Sequence, residues 1–237
     1  MFSSSLGGMK RANRVCWSKK SKDFLIPKLT PELAELVGIM FGDGYMKNKH
    51  NNSHTIRICG SLSKDKDYFF YLRDLFIRNF DIDPKFSEYP NKNYLELYVY
   101  SKKLVDFFHK ILLIPFSPKV NLSIPGYIKK DKRFLKSFLR GLFDTDGCVT
   151  YQKSGKYYYV LIKLCVKSES FAREIEASLK NLSIKSFCCE KVWRDNRGYD
   201  IVIRHKNTIS FFNLIGSNNM RNIRKWEQEW GRWDSNF

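Results

Sequence analysis

The sequence predicts an α+β protein of two pseudo-symmetric halves, each running αββαββα. Three internal matches carry that prediction. When Asp43 is placed on Asp146, 103 positions later, Gly38-x-x-x-Gly42-Asp43-Gly44 overlies Gly141-x-x-x-Thr145-Asp146-Gly147. "TIRICGS" (55–61) overlies "LIKLCVK" (161–167), which sets Arg57 against Lys163 and Cys59 against Cys165. "YVYSKKLVDFF" (98–108) overlies "VIRHKNTISFF" (202–212), with Lys102 against Lys206. The matches keep their order and an offset between 103 and 106, as a duplicated unit would.

The elements follow in order within each unit. Thr30 as N-cap and Pro31 at the first helical position start a helix near 31–43. The apolar residues of its counterpart run from Phe134 to Phe143. Both helices are expected to end at a glycine in a left-handed cap, Gly44 and Gly147. Strand-like runs with interleaved basic residues follow at 54–60 and 157–166. Helical patterns come next near 64–79 and 168–181, then strand-like runs near 84–100 and 185–204 with "YPNKN" and "RDNRG" as turns. A last helical pattern covers 102–112 and 206–215. The join, "PFSPKVNLSIPGYIKKDKR", reads as a linker. The expected division is a basic N-terminal arm over 1–28, a first half over 29–120 and a second over 121–237.

Composition narrows the partner. The 237 residues carry 42 Lys and Arg against 24 Asp and Glu, a net charge of +18, which attracts polyanions and points to nucleic acid. The six cysteines form no CxxC pair or zinc-type quartet. Reduced thiols in an intracellular protein, of the prokaryotic cytoplasm or an organelle matrix, are expected. No apolar run is long enough to suggest a membrane partner.

The paired motifs suggest a chemistry. Gly38 and Gly42 lie on one helix face, and Gly141 and Thr145 on another. Small residues at that spacing let two helices approach closely, which would bring Asp43 and Asp146 together at the helix ends. Two carboxylates there face the negative ends of both helix dipoles and repel each other. A divalent cation relieves both conflicts, and oxygen ligands suit Mg2+, with Mn2+ able to substitute. With the basic charge, this points to metal-dependent hydrolysis of a nucleic-acid backbone. Asp144 has Phe41 at its sister position and is expected to be structural, hydrogen-bonding near the helix end.

Leu139-Arg-Gly-Leu-Phe-Asp-Thr-Asp-Gly147 resembles the LAGLIDADG motif nearly letter for letter, and Leu36-Val-Gly-Ile-Met-Phe-Gly-Asp-Gly44 is a looser copy. Over roughly residues 30–237 the chain resembles the single-chain, two-motif LAGLIDADG homing endonucleases. The resemblance implies two sheets forming a saddle over duplex DNA, motif helices at the interface, Mg2+ on Asp43 and Asp146, and 3′ overhangs. The candidate metal set is Asp43, Asp146, Gly42 and Thr145. Lys167 and Lys119 match basic residues that the family places beside its metals, which implies that they join Asp43 and Asp146 as catalytic residues, and Arg221 is the rough counterpart of Lys119. A monomer with an internal pseudo-twofold is implied. An intron-encoded or free-standing enzyme is expected rather than an intein.

Strand periodicity nominates Arg57, Lys163, Tyr157, Tyr159, Lys185, Lys191, Arg194 and Arg204 for the DNA-facing surface, and Arg221 joins them as a DNA contact. The halves differ at these positions, so the target should be long and non-palindromic. The competing expectation is a non-cleaving nucleic-acid binder on the same scaffold, an intron RNA maturase or a repressor.

Overall fold

The computed structural model describes residues 26–47, 54–193 and 196–234. The first half runs α1 (Pro31–Phe41), β1 (Gly44–Lys47), β2 (Thr55–Ser61), α2 (Leu62–Phe80), β3 (Lys85–Tyr89), β4 (Tyr94–Tyr100) and α3 (Lys102–Asp106), the last continuing as a π turn over Phe107–Ile111. A short α4 (Gly126–Lys129) leads into the second half: α5 (Lys132–Asp146), β5 (Gly147–Ser154), β6 (Tyr157–Val166), α6 (Glu169–Asn181), β7 (Ser186–Trp193), β8 (Asn196–Arg204) and α7 (Lys206–Leu214). An additional helix, α8 (Met220–Asp234), closes the described chain. The order αββαββα is therefore written twice. The sheets repeat as well: both are antiparallel and four-stranded, ordered β1-β2-β4-β3 and β5-β6-β8-β7.

Local chemistry starts the elements where the sequence indicates. The Thr30 hydroxyl accepts the Leu33 amide at 3.1 Å and Pro31 opens α1. Asp131 caps α5 through the Arg133 amide at 2.8 Å. Strand alternation then splits each sheet. In the first, Ile56, Ile58, Leu95 and Leu97 are buried against the helices, which sets Arg57, Cys59, Tyr94, Glu96 and Tyr98 on the opposite face. In the second, Ile162, Leu164, Ile201 and Ile203 face the core, which leaves Lys163, Cys165, Asp200 and Val202 outward.

Three expectations change. Strands β1 and β5 had no separate strand signal: β1 has only four residues, and β5 ends in the polar run Tyr-Gln-Lys-Ser. Helix α8 was also not anticipated. The motif helices do not end in left-handed glycines. Gly42 caps α1 at φ −81°, and Gly147, at φ −103°, is already extended as the first residue of β5. Glycine at 44 and 147 instead serves packing. A Cβ on Gly44 would press on the Met40 backbone, and one on Gly147 would collide with the Phe143 ring.

Among the described residues, no helix is long and apolar enough to cross a membrane. The two cores merge across α1 and α5. Phe41 of α1 packs edge-to-face on Phe138 of α5 at 5.3 Å and against Phe171 of α6 at 5.9 Å.

Candidate metal and nucleic-acid site

The site forms because α1 and α5 can touch backbone to backbone. A Cβ on Gly38 would strike the Phe138 carbonyl oxygen and lie 3.0 Å from the Leu142 nitrogen. A Cβ on Gly141 would strike the Glu35 carbonyl oxygen and lie 2.9 Å from the Ile39 nitrogen. Farther along the helices, Gly42 leaves room for the Thr145 side chain, and a Cβ at Gly42 would lie 3.2 Å from Asp146 Oδ2. The C-terminal ends of α1 and α5 thus meet, and Asp43 and Asp146 emerge there side by side.

The two carboxylates carry perturbed charges. Asp146 is raised to about 7, by burial first and the Asp43 charge second, against the pull of Lys119 and Lys167. Asp43 keeps an exposed edge, yet its surroundings raise it to about 6. Desolvation is the main cause there; Lys119 opposes it, Asp65 adds to it and Arg221 opposes it. Lys119, Lys167 and Arg221 therefore all gather at this pair.

The two helix ends are closed by different chemistry. Lys119 Nζ donates to the carbonyls of Met40 at 3.1 Å, Phe41 at 2.8 Å and Gly42, filling the unpaired end of α1 with a cation. Burial lowers its pKa, and Asp146 and Asp43 hold it up. The end of α5 is closed by amides: Asn219 Nδ2 donates to the Asp144 carbonyl at 3.1 Å and Asn222 Nδ2 to that of Phe143 at 3.5 Å. Arg221 is not the counterpart of Lys119 in this respect. It pairs with Asp65 at 3.1 Å, crossing from α8 to α2.

Gly42 and Thr145, the other two residues of the expected metal set, are engaged in hydrogen bonds. The Gly42 carbonyl accepts Lys119, and the Thr145 hydroxyl donates to the carbonyls of Gly141 at 3.1 Å and Leu142 at 3.0 Å. Asp144 is 1% exposed, accepts the Asn218 amide at 2.8 Å and the Ser217 hydroxyl, and is raised to about 7 by burial. It ties α5 to the loop before α8, the structural role expected of it.

Sequence reasoning missed a buried network directly behind the site. Glu35, fully buried on α1, is gripped by Arg140 of α5 at 2.6 and 2.9 Å. Its other oxygen accepts Tyr71 and Asn218, each at 2.7 Å. The available signal was an acidic residue inside the apolar run "ELAELVGIMF".

The proposed DNA contacts separate into groups. Arg57, Lys163 and Lys191 project from the outward sheet faces, and Arg204 lies over the Phe187 ring at 4.5 Å. Tyr159 packs beside His205 at 5.8 Å, and Tyr157 is exposed beneath Lys156. Lys185 stands apart: it lines a groove of about 710 Å³ with Arg173, Glu176 and Lys180 of α6, toward the helical side. Arg194 and nearly all of the N-terminal arm lie outside the described residues.

Two sheets of order 1-2-4-3, joined by paired motif helices that end in carboxylates, can be compared with known proteins. Residues 133–216 match the LAGLIDADG-like domain family. The whole arrangement also matches solved structures. For I-DmoI in complex with DNA and Mn, the TM-score is 0.56 at 20% identity, over 78% of this chain and 96% of that one. This is the LAGLIDADG fold. Two further LAGLIDADG structures bound to DNA agree with it. I-AabMI gives a TM-score of 0.55 at 13% identity, over 87% of this chain and 91% of that one. I-GzeII gives 0.56 at 10% identity, over 88% and 92%. By sequence, the chain is 27% identical over 194 residues to an uncharacterized protein of Methanocaldococcus jannaschii, spanning 69% of it. It is 29% identical over 199 residues to the replication factor C small subunit of that organism, and 24% over 156 residues to its glutamine–fructose-6-phosphate aminotransferase. The chain spans only 10% and 13% of those two proteins. The LAGLIDADG fold accounts for the element order written twice and for the two four-stranded sheets.

Proposed function

We propose that this chain is a site-specific endonuclease that cuts both strands of a long, non-palindromic DNA target by divalent-metal-dependent hydrolysis. The observation that carries the reading is the meeting of Asp43 and Asp146, both raised in pKa, among Lys119, Lys167 and Arg221. The donor chemistry fits a hard cation. Asp43 sits close enough to Asp146 to oppose its ionisation, and no cluster of three or more His, Cys, Asp or Glu side chains competes as a metal site among the described residues. Asp43 and Asp146 would hold Mg2+ or Mn2+, and the bound ion would supply Lewis-acid stabilisation of charge on the phosphate. I-DmoI in complex with DNA and Mn, and a variant of it in complex with target DNA in the presence of Mg, support both parts of the reading.

The chain's own residues do the rest. Asp43 and Asp146 set the cutting position on the pseudo-twofold between the halves. Lys167 is exposed beside Asp146 and is placed to neutralise the scissile phosphate. Lys119 acts from behind, fixing the end of α1 and so the position of Asp43. The outward sheet faces, with Arg57, Lys163, Lys191 and Arg204, hold the duplex on either side. The two unlike faces suit an asymmetric target read by one copy of the chain.

The test is cleavage of a plasmid carrying the uninterrupted host site, with Mg2+ and with a chelator. Mg2+-dependent linearisation is expected. Tight binding of that site with no nicking under any divalent ion would overturn the reading in favour of a non-cleaving binder.

A further inference from the structure

On the reading that the outward faces meet DNA, we propose that Glu96 and Asp200 are specificity-determining residues. Each fixes the cations that read base pairs in its own half-site. The two occupy one position in the duplicated fold. Glu96 lies directly opposite Cys59 across β4 and β2, and Asp200 directly opposite Cys165 across β8 and β6. Two residues before each cysteine stands a cation, Arg57 or Lys163, on the same face.

The charges are joined in both halves. Arg57 Nη1 lies 3.0 Å from Glu96 Oε1. Lys163 and Lys191 Nζ each lie 3.9 Å from Asp200 Oδ2, one from either neighbouring strand. The carboxylates are the buried members, with side chains 10% and 8% exposed, while the three cations are 36–55% exposed. The acid thus lies at the floor of the face and the donors project from it.

The surroundings of this unit have not been kept. Tyr45, paired with Arg57, corresponds to Cys148, paired with Lys163. Tyr98, across from Arg57, corresponds to Val202, and Ser87, across from Glu96, to Cys189. Acid, cation and thiol persist where the flanking residues differ, so the unit does work common to both halves.

A carboxylate weakens attraction to phosphate, which makes it a poor choice for affinity alone. Its benefit is geometric. A cation tied to a buried acid has fewer orientations in which to accommodate a wrong base, so discrimination rises while general affinity falls. Arginine held in this way reads guanine through paired donors, and lysine donates to the same acceptors.

The experiment selects bound duplexes from a random-sequence pool with the wild-type chain, then with Glu96→Gln, Asp200→Asn and Lys163→Met, with melting temperatures as the folding control. Expected is a two-part consensus for wild type. Asp200→Asn and Lys163→Met should lower preference about tenfold at the same positions of one part, and Glu96→Gln at positions of the other. Binding to random duplex should stay equal or rise for both acid variants. An unchanged consensus, or one eroded evenly across both parts by a folded variant, overturns the proposal. If wild type selects no consensus, the DNA-recognition reading itself fails, a distinct outcome.

Discussion

Gly38 and Gly141 are reciprocal: each points at a carbonyl on the other's helix, Phe138 and Glu35, across a contact with no room for a methyl group. The neighbouring atoms are backbone and cannot swing away. Gly38→Ala and Gly141→Ala should therefore force the helices apart. The expected cost is roughly 2–3 kcal/mol of unfolding free energy each, as for overpacked cores. Urea unfolding checks it, and loss of cleavage should accompany loss of stability because Asp43 and Asp146 move with the helix ends.

Asp146→Asn separates chemistry from folding. It should lower the cleavage rate by about a thousandfold or more, on the scale of losing a main stabiliser of transition-state charge. The metal-free protein should become more stable at neutral pH, because the variant removes one of two opposed carboxylates. A destabilised Asp146→Asn protein would contradict the assignment.

The same carboxylates give a pH dependence. The ordinary aspartate value is 3.8, whereas Asp43 is raised to about 6 and Asp144 and Asp146 to about 7. Between these limits the folded chain holds protons that the unfolded chain has released. Metal-free stability should therefore fall as pH rises from about 4 to about 7. Metal binding must displace the protons on Asp43 and Asp146, so Mg2+ affinity should weaken as pH drops below about 7. Denaturant titrations with a chelator and calorimetry with Mg2+ at several pH values check both signs.

Lys119 is predicted to be a positioning residue. Lys119→Met leaves three carbonyls at the end of α1 without a donor and should cost about 1–3 kcal/mol. Its effect on cleavage should exceed its effect on DNA binding, because it misplaces Asp43 and leaves the sheet faces intact. Parallel binding and single-turnover measurements check the split.

What could be read in the sequence was whatever the chain wrote twice. Asp43 and Asp146, the glycines and the Arg57 and Lys163 pair were legible because each copy tested the other. Residues present once gave no such check. Glu35 aligns with Phe138, and Arg140 with Val37, so neither stood out although they form the polar centre of the helix interface. Asp144 against Phe41 was informative by contrast: one tethers a loop and the other fills the core, in keeping with a structural role for Asp144. The glycine caps misled because an Asp-Gly pair after a helix reads as a turn. Here α5 passes straight into β5 and only Gly42 and Asp43 separate α1 from β1, and glycine answers crowding rather than a positive φ.

Glu35 and Arg140 offer the sharpest energetic test. Removing the guanidinium in Arg140→Met leaves a fully buried carboxylate with only Tyr71 and Asn218 as donors. That should cost about 3–5 kcal/mol, the range for breaking one side of a buried pair. Replacing both residues, as Glu35→Leu with Arg140→Met, removes the uncompensated charge and should recover much of the loss. A double-mutant cycle by denaturant unfolding measures the coupling. The double variant should fold yet cleave poorly, because the network also positions Asn218 and, through its backbone amide, Asp144 next to the end of α5. Full recovery of both stability and cleavage would show that the network serves packing alone.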